Sequence, residues 1–192
     1  MARPRQFDEN QVIQKVMEIF WEKGYEATSL ANLIRVTGLQ KGSLYGAFGN
    51  KQNLYLLALK HYEQNHIQAA VHRLNDDSPV DSKISFLFDS IIESMQSGVF
   101  AGGCLLCDAS LEMAAIDHQV QKSVEAMIER LLRSVRSALE QDSYPDTKLD
   151  STADFIIASY FGCRIYARAG VNSNHIRHTR DICIETLTGL KQ

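Results

Sequence analysis

Proline occurs three times in 192 residues and tryptophan once. With 45% hydrophobic and 22% charged residues, that composition excludes a disordered or low-complexity chain. No uninterrupted apolar run approaches the roughly 18 residues of a membrane span. The basic start, MARPRQFDEN, has no apolar stretch behind it, so no secretory leader is expected. A cytoplasmic protein without a membrane partner is the expectation.

Cysteine is also sparse. Cys104, Cys107, Cys163 and Cys183 could pair, but nothing points to export, so reduced thiols are expected. Cys104 and Cys107 form a lone CxxC. With neither a second CxxC nor a nearby HxxxH, the remaining ligands of a zinc site are missing. A redox pair of the thioredoxin kind would belong in a βαβ setting, which the chain lacks. The phosphate loops GxxxxGK[ST] and GxGxxG are absent as well. No paired carboxylates, metal-ligand cluster or nucleophile–base pair stands out, so no catalytic residue, metal or cofactor is expected. An all-α enzyme, or a helical binding module without a DNA role, is the alternative class. A salt-dependent gel shift of random DNA separates it from a nucleic-acid binder.

What the chain does have is helical periodicity nearly throughout. Val12, Val16, Ile19 and Phe20 make one stripe, with Asp8 placed to cap it and Gly24 to end it. Ile84, Leu87, Phe88, Ile91, Ile92 and Met95 mark a wide buried face. Val120 to Leu139 repeats the pattern behind Asp117, a second N-cap candidate. Residues 153–169 are apolar on most sides, and a last helix covers 176–190. No segment alternates with period two long enough for a strand. The fold class is all-α. The texture changes near residue 50, where short helices give way to long amphipathic ones. A head over 1–50 and a larger body over 51–192 are therefore expected.

Charge follows the same division. Residues 1–60 hold eight Lys and Arg against five Asp and Glu, whereas the rest of the chain holds twelve against eighteen. A positive head on an acidic body suits a module that meets a polyanion.

Four of the eleven glycines fall in TGLQKGSLYGAFGNK, residues 37–51. Two of them, Gly42 and Gly46, lie inside an apparent short helix, each costing about 1 kcal/mol against alanine. TSLANLIRVTG reads as a short helix capped by Thr28, with Gly38 as its left-handed terminator. QKGSLYGAF then begins a second. Two short helices across a Gly-containing turn form a helix-turn-helix, whose second helix enters a major groove about 12 Å wide. Gly42 and Gly46 bring backbone close to DNA or to a supporting helix.

The run from Phe20 to Tyr55 resembles the DNA-binding head of the TetR family of bacterial transcriptional regulators. The resemblance is carried by Gly24-Tyr25, Thr28-Ser29, Gly38, Gly42-Ser43-Leu44-Tyr45, Phe48 and Lys51. Ala47 stands where many members carry His, which removes one phosphate contact. Beyond the head, the likeness is helical content and GCLL at 103–106.

The resemblance implies a homodimer on a near-palindromic double-stranded DNA operator and a body that binds a small-molecule effector. By position, Thr28, Tyr45 and Lys51 would hold phosphates, while Gln40, Lys41 and Ser43 would face base edges around Gly42. Lysine can donate to guanine and glutamine can pair with adenine. Arg3 and Arg5 would add contacts from an arm. The helices at 153–169 and 176–190 would pair with their symmetry mates. Phe86, Phe100, Cys104, Met113, Tyr160 and Phe161 are candidate effector contacts, with plain core as the alternative. A sensing thiol at Cys104, resolved by Cys107, is the alternative trigger.

Overall fold

A computed structural model describes residues 7–98 and 103–190, so Arg3, Arg5 and Phe100 lie outside the described residues. Among the described residues there are helices and turns and no strand. Helix α1 (Glu9–Lys23) starts where the Asp8 carboxylate accepts from the N–H groups of Asn10 and Gln11. It buries Val12, Val16, Ile19 and Phe20 as the periodicity predicts, together with Ile13, Met17 and Trp21.

Helices α2 (Leu30–Thr37) and α3 (Lys41–Phe48) are joined through Gly38, which sits at φ 71°, ψ 5° and closes α2 with its N–H on the Ile34 carbonyl. The left-handed backbone explains glycine there. The cap of α2 corrects the sequence reading. Ser29, not Thr28, is the N-cap: its hydroxyl accepts from the Asn32 N–H, while Asn32 Oδ1 accepts from the Ser29 N–H. The reciprocal pair decides between two adjacent hydroxyl residues.

Helix α4 (Lys51–Tyr62), capped by Asn50, packs along α1 and runs without a break into α5 (Gln68–Leu74) through a π-helical segment, Glu63–Ile67. Such bulges are rare and often stand at functional sites. Helix α6 (Val80–Ser97) packs on α9 (Leu149–Arg168) and α10 (Ser173–Leu190). The short α7 (Leu105–Glu112) touches α1, α4, α8 and α9. Helix α8 (His118–Gln141) begins at Asp117, whose Oδ1 accepts from Gln119 and Val120, and packs along α9.

Helix α9 begins four residues before the 153 read from periodicity. Leu149, fully buried, anchors an extra turn behind the 3-10 turn Asp146–Lys148. One core of buried side chains runs from α1 to α10. No helix among the described residues is long and apolar enough to cross a membrane.

Candidate DNA-binding face and effector cavity

Helix α3 is held by its inner side. Leu44 and Phe48 are buried against the head core, and Phe7 tilts against Phe48 at 5.9 Å between ring centroids. That anchorage turns Gln40, Lys41, Gly42 and Ser43 to solvent at the N-terminal end of the helix. A Cβ built on Gly42 or Gly46 would meet nothing within 4 Å. The two glycines therefore serve the outward face rather than close approach to a supporting helix, and what they leave is a smooth convex backbone of the kind a groove accepts.

Tyr45 is half-buried on the flank of α3. Lys51 opens α4 with its ammonium 4.3 Å from the centre of the Tyr25 ring, a cation–π placement that fixes the charge beside α3. Tyr25 in turn stacks on Phe20 and meets Tyr55 edge-on, at 5.9 and 4.9 Å. Burial first, and then the nearby Glu26 carboxylate, hold the Tyr25 phenol above its ordinary pKa, so it stays neutral.

Thr28 departs from the expected set. It is fully buried, and its hydroxyl donates to the Gly24 carbonyl at 2.7 Å. The side chain ties the α1–α2 corner and, as it stands, offers no exposed hydroxyl to a phosphate. The remaining expected contacts, Gln40, Lys41, Gly42, Ser43, Tyr45 and Lys51, lie on α3 and the adjoining start of α4.

In the body, a cavity of about 410 Å³ opens between α1, the π segment, α6, α8 and α9. Trp21, Tyr62, Phe86 and Tyr160 bring aromatic walls to it, and Arg164 brings a charge. Trp21 is edge-on to both Tyr62 and His66, at 5.0 and 4.8 Å, so the end of α1 forms part of the wall. Arg164 donates from Nε and Nη2 to the Tyr160 hydroxyl at 3.0 and 2.8 Å, and from Nη2 to Ser90 Oγ at 3.4 Å. Burial opposes its charge, but Tyr160, Cys104 and Tyr62 around it more than compensate and keep it protonated. Burial, then the Arg164 charge, lowers the His66 pKa, so this imidazole is neutral at neutral pH.

Of the expected effector contacts, Phe86 and Tyr160 line the cavity. Cys104 lies behind Tyr62, whose hydroxyl is 3.3 Å from its sulfur. Met113, buried at the end of α7, and Phe161, packed beside Tyr160 at 5.5 Å, do not line it. Both pack into the surrounding core.

Cys104 is the N-cap of α7, and hydrogen bonding with Cys107, the Arg164 charge and Tyr62 hold its thiol below the ordinary range. It is only 2% exposed, which keeps solvent oxidants away. Sequence reasoning missed Trp21, Tyr62, His66 and Arg164. Trp21 and Tyr62 sit on helical faces that read as core, His66 and Arg164 read as ordinary polar positions, and only the tertiary arrangement opens a space among them.

Residues 13–58 match the family described as "Bacterial regulatory proteins, tetR family". Residues 79–181, more than half of the chain, match "Transcriptional regulator LmrA/YxaF-like, C-terminal domain". The transcriptional repressor ComR of Escherichia coli (strain K12) is 29% identical over 89% of this chain and 84% of its own. The transcriptional regulator YezE of Bacillus subtilis (strain 168) is 24% identical over 97% of this chain and 100% of its own. Among solved structures, a cysteine-substituted form of the TetR-family regulator CifR, complexed with 26-base-pair operator DNA, superposes with a TM-score of 0.84 and 26% identity. That match covers 95% of this chain and 98% of CifR. The helix-turn-helix with its bared α3, the helical body behind it and these likenesses lead to one conclusion: the chain belongs to the TetR family and is a DNA-binding transcriptional regulator, not an enzyme.

Proposed function

We propose that the protein acts as a homodimeric repressor, released from a near-palindromic operator by a small molecule that enters the cavity. Residues 1–50 carry recognition, and residues 51–192 carry the effector and the dimer contact. Gln40, Lys41 and Ser43 read base edges, with Gly42 allowing the approach, while Tyr45 and Lys51 hold phosphates. The name of ComR as a repressor supports the sign of the regulation.

The observation that carries the reading is Trp21, which belongs to the first helix of the head yet forms part of the cavity wall. A ligand there touches the head directly. It shifts the heads only if it binds the DNA-incompetent arrangement better, since only differential affinity moves an equilibrium. Dimerisation through α9 and α10 is supported by their outer faces. Phe155, Ile165, Tyr166 and Ile182 are 45–54% exposed, an apolar surface that a monomer would leave in water. Burial of Cys104 favours a noncovalent ligand over a thiol trigger.

Genomic fragments retained by the purified protein identify the operator. Sedimentation with and without that fragment should give a dimer that binds it, and added effector should separate the two. A monomer that binds the operator with full affinity would refute the dimeric reading.

A further inference from the structure

The cavity has an unbalanced charge. Among the described residues, Arg164 is the one formally cationic residue in its wall, and no Asp or Glu lines it. Among the described residues no carboxylate lies within the 4.0 Å of a salt bridge from the Arg164 guanidinium. Its hydrogen bonds go to two neutral hydroxyls, Tyr160 and Ser90, and use Nε and Nη2. Guanidinium has five N–H donors in a planar fork, and among the described residues none on Nη1 has a protein acceptor. A half-buried cation is stable there because neighbouring dipoles serve it, but a bound anion would serve it better. The walls on either side are aromatic, from Trp21, Tyr62, Phe86 and Tyr160. The space, about 410 Å³, falls within the range of small-molecule sites, about 300–1,000 Å³.

We propose that the effector is an aromatic monocarboxylate, its carboxylate seated on Arg164 and its ring among Trp21, Tyr62 and Phe86. The proposal rests on the reading of this cavity as the effector site. A single cation matches a single negative charge; a phosphate dianion would bring a second charge into an apolar slot with nothing to pair it. The planar fork of arginine suits the planar carboxylate. The lowered pKa of His66, which Arg164 helps to cause, agrees with a positive potential inside the cavity. Cys104 is the internal rival for the Arg164 charge, and substituting it tests that rivalry.

Trp21 is the only tryptophan in the chain, so its fluorescence reports on the cavity wall without a label. Benzoate, phenylpropionate and biphenylcarboxylate are titrated into the full-length protein, each beside its neutral amide, with calorimetry in parallel. At least one acid should bind about ten-fold more tightly than its amide. Arg164→Gln should abolish that preference, Arg164→Lys should keep part of it, and Cys104→Ser, which removes the rival for the Arg164 charge, should increase it. Equal binding of acids and amides, binding of no acid at millimolar concentration, or a preference that survives Arg164→Gln would overturn the proposal. The comparison of acid with amide uses the parent protein, so it stands even where a variant fails to fold. Operator release is measured separately: an acid that binds through Arg164 without releasing DNA would leave the anion site standing and refute the effector reading.

Discussion

The main-chain N–H of Tyr25 donates to Oε2 of Glu112 at 2.6 Å, although the two residues are 87 positions apart. Glu112 is the last residue of α7, and Tyr25 is the residue whose ring carries the Lys51 ammonium. At its other end, α7 starts from Cys104, against the Tyr62 hydroxyl at the cavity wall. An eight-residue helix, about 12 Å long, thus spans from the cavity to the head. Two further ties run alongside it: Gln52 donates to Asp117 at 2.5 Å and Arg168 donates to the Glu22 carbonyl at 3.2 Å. Helix α7 is therefore a physical candidate for the element whose position both sites bias.

Loss of the Glu112 carboxylate should loosen the head without unfolding it. Glu112→Ala removes the acceptor of the Tyr25 N–H and should cost about 1 kcal/mol in denaturant unfolding. Glu112→Gln keeps an amide oxygen in place and should cost less. Equal midpoints for both variants and the parent would show that the bond contributes nothing.

Gly42→Leu should separate stability from function. The added side chain meets open space, and leucine is the better helix former, so thermal stability should rise by about 0.5–1 kcal/mol. Operator binding should be lost because the side chain occupies the groove-facing surface. A gel shift in which Gly42→Leu binds like the parent would mean that α3 does not approach DNA by this face.

Lys51→Ala should weaken binding to all DNA sequences alike and reduce the slope of log affinity against log salt by about 1. The ring of Tyr25 holds the ammonium in place, so Tyr25→Leu should reproduce part of the effect. An unchanged salt slope would remove Lys51 from the phosphate contacts.

Asp108 links stability to pH. Burial, partly offset by Arg168, pushes its carboxyl up from 3.8 to about 6. The folded state therefore favours the protonated form. The stability this group contributes is fully present below the unfolded pKa and is lost as pH rises through about 6. Asp108→Asn, neutral throughout, should raise Tm relative to the parent at pH about 8 and give little gain near pH about 4. A Tm difference that does not vary between the two would place the carboxylate in a solvated environment.

Element positions were legible where one local signal was decisive. Asp8 and Asp117 cap helices because their carboxylates meet free N–H groups two and three residues on, and Gly38 ends α2 because the turn needs positive φ. Thr28 and Ser29 were not separable by type, and only the reciprocal bond with Asn32 chose between them. The cavity was less legible than the exposed side of α3. The exposed side of α3 is one continuous segment, whereas Trp21, Tyr62 and Arg164 come from three helices and meet only in the folded chain. The π segment that sets Tyr62 and His66 against Trp21 has no compositional signature.

The outer faces of α9 and α10 offer the last test. Ile165 is 51% exposed on α9 and Ile182 is 54% exposed on α10, while the inner faces bury Ile156, Tyr160, Ile176 and Leu187 in the core. Charge placed on the outer positions should therefore leave each chain folded and disfavour only contact between chains. The double variant Ile165→Glu, Ile182→Glu should keep the helical circular dichroism of the parent, sediment as a monomer, and bind the operator more weakly, because each head then binds alone. Each buried Ile contributes about 1.5–3 kcal/mol through its apolar area, and two symmetry-related copies of both residues multiply the loss at the interface. A variant that remains a dimer at micromolar concentration, with its operator affinity intact, would place the contact between protomers on another face.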